Sequence, residues 1–109
     1  MAIFPYCGYN FPLNKSNFEW DEAKNLENQE KHGVSFYDAQ HAFKDGRRVI
    51  AEDSAHNQGE KRYFCFGLNQ KNSGILTVRF TYRNNQIRII GASYWRKGRK
   101  IYEQANSIH

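Results

Sequence analysis

In "ILTVRFTYR", residues 75–83, every second side chain is apolar. Leu76, Val78, Phe80 and Tyr82 share one face, and Thr77, Arg79, Thr81 and Arg83 share the other. A period of two marks a strand with one face toward a core. Strands are also predicted in "RRVIAED" (47–53), "KRYFCFGLN" (61–69) and "IRIIGASYW" (87–95), the last with Ile87 and Ile89 opposite Arg88 and Ile90. "SAHNQGE" reads as a loop and "QKNSG" as a turn, while "NNQ" is short enough to close a hairpin.

Before residue 47 the period is different. "FEW" (18–20) predicts a short first strand. Asp21 then caps a mostly polar helix over "DEAKNLENQEKH", with Ala23 and Leu26 as its apolar contacts and Glu27 and Lys31 paired at i, i+4. In "NQEKHGVSF", a histidine beside a lysine could carry acid–base chemistry, but the favoured reading is architectural: Lys31 and His32 put positive charge at the helix C-terminus, and Gly33 suits the left-handed position beyond it. Val34 and Ala39 occupy the staple positions of a second helix capped by Ser35. That helix is expected from Phe36 to about Lys44, burying Phe36, Ala39 and Phe43, and "DG" at 45–46 stops it. "RKGRKIYEQAN" predicts a closing helix in which Gly98 is a weak point.

The order is therefore β-α-α-β-β-β-β-α, an α+β fold. Consecutive hairpin-linked strands imply an antiparallel meander with helices mainly on one face. Pro5 and Pro12 make residues 1–17 a poor helix and a poor central strand, so we expect a loose or partly docked arm there and a single domain over 18–109. No run approaches a membrane span, and the N-terminal stretch lacks the pattern of a signal peptide. Cys7 and Cys65 show neither disulfide-framework nor zinc spacing, which fits reduced thiols and a cytoplasmic location.

Charge adds direction to this picture. Residues 1–60 hold six Lys/Arg and ten Asp/Glu, whereas residues 61–102 hold ten Lys/Arg and no acid. Basic and apolar residues interleave along the predicted strands, a pattern that suits a polyanion better than a disordered basic tail does. An arginine-lined sheet face grips phosphate well, because the guanidinium binds in bidentate fashion and stays charged. The plainer account is a polar face turned to water. "DSAHNQGEKR" sets Asp53, His56, Glu60 and Arg62 within ten residues, with His56 and Glu60 as proton-transfer candidates; its spacing is no metal signature. "YWRKGRK" joins Tyr94 and Trp95, which can stack on bases or pack a helix, to Arg96, Lys97, Arg99 and Lys100, which can follow a phosphate backbone.

Several of these segments carry a family resemblance. "FEWDEAKNLENQEKHGVSFYDAQHAF", "DSAHNQGEKRYFCFG", "RIIGASYW" and "RKIYE" resemble the BrnT family of bacterial type II toxins over residues 18–103. The resemblance implies a RelE-like fold, a curved antiparallel sheet with helices against it. It also implies an RNA-cleaving toxin that inhibits translation and needs no metal or other cofactor. The implied partner is a BrnA-like antitoxin with a ribbon-helix-helix domain, through which the pair reaches operator DNA and represses its own promoter. A homodimer and a toxin–antitoxin heterotetramer both remain open. His56, Glu60 and Arg62 match the family's H-x-x-x-E-x-R segment, Thr81 and Arg83 its strand motif, and Arg88 the opening of its last strand. The chain departs from the family at Ser93, where an arginine is frequent, and in the length of its N-terminal arm.

The expected chemistry is attack of the RNA 2′-hydroxyl on the adjacent phosphate. Arg62, Arg83 and Arg88 would act as clamps with Arg79 next, and His56 or Glu60 as the acid–base group. The alternative is a non-catalytic nucleic-acid- or antitoxin-binding module, such as a degenerate toxin acting as corepressor.

Overall fold

The computed structural model describes residues 17–56 and 59–107, with the His56 side chain outside it. The predicted arm up to residue 16 also lies outside the described residues. Strand β1 (Asn17–Glu19) leads into α1 (Glu22–His32) and α2 (Phe36–Ala39), and α2 tightens into a 3₁₀ turn (Gln40–Lys44). Four strands follow: β2 (Val49–Glu52), β3 (Arg62–Leu68), β4 (Ile75–Arg83) and β5 (Gln86–Ser93). A short 3₁₀ turn, Ser54–His56, lies between β2 and β3, and α3 (Arg96–Ala105) is the last element. The element order is the one that the sequence pattern predicts.

The sheet order is β1-β5-β4-β3-β2. β2 to β5 form the expected antiparallel meander, but β1 pairs with β5 in parallel, so the sheet is mixed. Asn84 and Asn85 close the β4–β5 hairpin with φ of 54° and 60°. Two positive φ values are what a tight two-residue hairpin loop requires, and asparagine tolerates them. A register shift between Arg79 and Phe80 leaves Ile90 as the extra residue of a bulge in β5, which re-aims the end of that strand.

One face of the sheet buries Cys65, Leu76, Val78, Phe80, Ile87 and Ile89 against Val34, Phe36, Ala39 and Phe43. These include the helix positions chosen from the sequence pattern. Ser35 caps α2 through its Oγ, 3.0 Å from the Asp38 amide. α3 lies on the other face, where Tyr102 packs with Val49, Ala51, Phe64 and Phe66 in a second, smaller core.

Two local expectations are corrected. Ala23 and Leu26 do not anchor α1: both are exposed, Leu26 at 60%. The helix docks instead through buried Asn25 and Asn28. Asn28 Nδ2 donates to the carbonyls of Val34 (2.9 Å) and Ala92 (2.8 Å), and its Oδ1 accepts from the Ala92 amide. Asn25 Oδ1 accepts from the Phe36 amide at 2.8 Å. Backbone groups at the end of β5 and the start of α2 thus find partners in a helix side chain, as buried polar groups must. Gly98 is likewise no weak point. It is buried, and a Cβ there would run into Thr77 Oγ1 and the Phe66 ring, so its lack of a side chain lets α3 approach the sheet.

Asp45 ties the second core together. Its carboxylate accepts from the Tyr102 hydroxyl at 2.7 Å and from the amides of Leu68 and Arg47. Burial alone would raise its pKa, but the Tyr102, Leu68 and Arg47 hydrogen bonds and the Arg47 charge outweigh it and hold the carboxyl below its ordinary value. Burial, then the bond to Asp45 and its negative charge, push Tyr102 up to about 12.

Candidate active site

The α3 face of the sheet changes character along its strands. Beyond the apolar patch under α3, one row crosses four strands in register: Glu19 on β1, Arg88 on β5, Thr81 on β4 and Arg62 on β3. Asp53 extends the row, its amide donating to the Arg62 carbonyl at 2.8 Å. Arg79 and Arg83 flank Thr81 on β4, two residues away on either side. With strands spaced about 4.8 Å apart, the Arg62 and Arg88 backbones stand about 10 Å from one another.

Acids accompany these arginines loosely. Glu19 Oε1 lies 3.9 Å from Arg83 Nε and 3.6 Å from Arg88 Nη1. Glu60 Oε2 lies 3.6 Å from Arg83 Nη1, and Asp53 Oδ2 lies 3.8 Å from Arg79 Nη2. All four separations exceed hydrogen-bond length, so these contacts lower the local charge without locking the guanidinium donors. Arg62 Nε is buried and has no hydrogen-bond partner among the described residues. Thr81 lies beneath the arginines, 2% exposed, with its hydroxyl donating to the Lys61 carbonyl at 2.9 Å. In this arrangement Thr81 braces the start of β3, and Arg79, Arg83 and Arg88 around it are part-exposed.

Arg79 also borders a cleft of about 580 Å³ between this face and α1. Lys24, Glu27, Asn28, Lys31 and His32 line it from the helix. Asp53, Phe64, Thr77 and Arg79 line it from the sheet side, and Ser93 and Trp95 from the chain leaving β5. The Asn28 bonds to Ala92 fix this wall, because they hold α1 against the bulged end of β5. Lys31 Nζ lies 2.6 Å from Glu27 Oε1. That hydrogen bond and the opposite charges lower the Glu27 pKa and raise the Lys31 pKa.

The predicted site residues therefore divide. Arg62, Arg83, Arg88, Glu60, Arg79 and Thr81 come together at one end of the sheet face. The His56 side chain lies outside the described residues. Tyr94, Arg96 and Arg99 line a separate depression of about 430 Å³. Trp95 forms part of both walls, packs on Phe64 at 5.7 Å between ring centroids, and carries Lys97 Nζ 5.7 Å above its own ring. Lys100 is exposed on α3. Ser93 lines the cleft.

Sequence reasoning did not place Lys24 and Asn28 at the site, and favoured a helix-end role for His32 over a catalytic one. A signal was present: Lys24, Glu27, Asn28 and Lys31 fall at i, i+3, i+4 and i+7, the spacing of one helix face. The stripe is polar where a docked helix normally shows an apolar one. Among the described residues, no group of three or more His, Cys, Asp and Glu side chains is arranged to hold a metal ion. No helix among them is long and apolar enough to cross a membrane.

A search of curated proteins finds no match to the chain. A family model described as "Ribonuclease toxin, BrnT, of type II toxin-antitoxin system" matches residues 20–98. That span runs from the tryptophan before α1 to the glycine at which α3 meets the sheet, and it includes every residue that lines the cleft together with Arg62, Arg79, Arg83 and Arg88, while Glu19 on β1 lies just before it. The chain belongs to the BrnT family, the ribonuclease toxins of type II toxin–antitoxin systems.

Proposed function

We propose that the chain cleaves RNA by metal-independent attack of the 2′-hydroxyl on the neighbouring phosphate, leaving a 2′,3′-cyclic phosphate and a 5′-hydroxyl. The observation that carries this reading is the group of Arg62, Arg83 and Arg88 on one open end of a sheet face, with Arg62 Nε buried and unpartnered. RNA brings its own nucleophile, so the protein has to orient it and stabilise the charge that develops on phosphorus. Arginine suits the second task, since its fork of donors matches phosphate oxygens. Arg79 extends the grip toward the cleft, and Glu60 or His56 on the loop before β3 serves proton transfer. The exposed cations Arg96, Lys97, Arg99 and Lys100, together with Tyr94 and Trp95, continue a path for the strand past the reacting phosphate.

Inhibition of translation follows from loss of RNA. The proposed neutralising partner is a ribbon-helix-helix antitoxin that covers this basic face and carries the complex to operator DNA. An Arg62→Ala, Arg83→Ala double variant tests the assignment: cleavage is expected to fall at least about 10²–10³-fold, the cost of one positioned donor. Unchanged cleavage by a folded double variant contradicts it. Ser93 in the cleft wall favours a second reading, an inactive corepressor that only binds antitoxin. Growth arrest on expression without the antitoxin excludes that reading.

A further inference from the structure

The geometry points to His32 as a catalytic base for this reaction, taking the 2′-hydroxyl proton of RNA seated in the cleft between α1 and Arg79. The inference rests on the ribonuclease reading above and adds a residue to it from an element outside the arginine row.

His32 is the last residue of α1, and two features hold it in place. Gly33 adopts φ 69° and its amide donates to the Gln29 carbonyl at 2.9 Å, which ends the helix directly after the histidine. One turn earlier, Asn28 bonds the Ala92 amide and carbonyl. Its backbone is therefore fixed, and the exposed His32 lines the same cleft as Arg79 and Asp53.

The other charged groups in that cleft are poorly suited to accept a proton. Lys24 and Arg79 are cations at neutral pH. Glu27 is a weak base, because the hydrogen bond and charge of Lys31 lower its pKa. Asp53 is 1% exposed and sits beside Arg79. Imidazole is the side chain that changes charge between about pH 5 and 8 and can take a proton in its neutral form. In the step, an imidazole nitrogen accepts the 2′-hydroxyl proton as the 2′-oxygen bonds to phosphorus. The bond from phosphorus to the 5′-oxygen then breaks, and that oxygen leaves with a proton from water. Arg79 stands where it can hold a non-bridging phosphate oxygen meanwhile.

The test uses the full chain and a short single-stranded RNA of mixed sequence, with kcat and KM measured from pH 5.5 to 8.5. Wild type is expected to show a rate that rises with pH across the lower part of that range. His32→Gln is expected to lose about 10²–10⁴-fold in kcat, the usual worth of a positioned general base, with KM within about threefold and the rise with pH gone. Leu26→Ala, on the exposed side of the same helix, is the control and is expected to match wild type. A folded His32→Gln chain that keeps the wild-type kcat and pH profile overturns the inference while the ribonuclease reading stands. A wild-type chain that leaves RNA whole overturns both.

Discussion

Under α3 the sheet presents Val49, Ala51, Phe64 and Phe66, and these are buried. Further along the same strands it presents Arg62, Arg79, Arg83 and Arg88, loosely accompanied by Glu19, Glu60 and Asp53. The boundary passes through one cross-strand pair, Phe64 opposite Arg79. In the first half, close approach governs every position, and even a methyl group at Gly98 has no room. In the second half Thr81 is buried and the arginines beside it, Arg79, Arg83 and Arg88, are part-exposed. One stretch of sheet thus serves both stability and chemistry, because a helix of ten residues covers only one end of strands of seven to nine.

This contrast separates the consequences of mutation. The Arg62→Ala, Arg83→Ala variant should lose at least about 10²–10³-fold in cleavage. Its denaturation midpoint in urea should stay near that of wild type, because the Arg83 ion pairs are long and part-exposed and the Arg62 Nε has no hydrogen bond to lose. Asn28→Ala should do the reverse to the fold first. It strips partners from the Ala92 amide and from the Ala92 and Val34 carbonyls, at about 1–3 kcal/mol for a buried group left unsatisfied. Activity should fall with it, since the α1 wall of the cleft loses its anchor. Gly98→Ala should cost about 1–3 kcal/mol by overpacking against Thr77 and Phe66, read from the urea midpoint, with the arginine row undisturbed.

The α1 helix shows how far the sequence was legible. Its ends were readable from local chemistry. Asp21 caps it through bonds to the Ala23 and Lys24 amides, and Gly33 terminates it. Its docking face was not, because hydrophobic periodicity points to Leu26 whereas Asn25 and Asn28 carry the contact. Those asparagines are needed only once a bulged strand end offers unpaired backbone groups, a fact of tertiary structure. The arginine face was legible from period-two alternation in β4. The cleft was not, since it joins residues from α1, β3, β4 and β5 that no local pattern links. Gly98 was misread for the same reason: a helix propensity says nothing of the surface that the helix approaches.

A smaller effect concerns pH and belongs to the apolar half. The Asp45 carboxyl is held below its ordinary pKa when folded, so the unfolded chain binds the proton more readily. Stability from this group is complete above the unfolded value, about 3.9, and is lost as pH falls through the lower folded value. Tyr102 has the opposite sign. Its pKa is raised to about 12, so its contribution is complete below the unfolded value and is lost as pH rises toward that point. Asp45→Asn should therefore flatten the acid limb of a stability-against-pH curve. The smallest change is expected for Leu26→Ala, within about 0.5 kcal/mol of wild type, as for an exposed surface position.

The central claim is that the charged half of the sheet face cleaves RNA through the substrate's own 2′-hydroxyl. End-group analysis of the products of the purified chain, run in EDTA, tests it most directly. The account predicts cleavage that persists in EDTA, fragments ending in 2′,3′-cyclic phosphate with a 5′-hydroxyl on the partner fragment, and no cut where the attacking position is 2′-deoxy. Cleavage abolished by EDTA, or fragments carrying a 5′-phosphate, would contradict it.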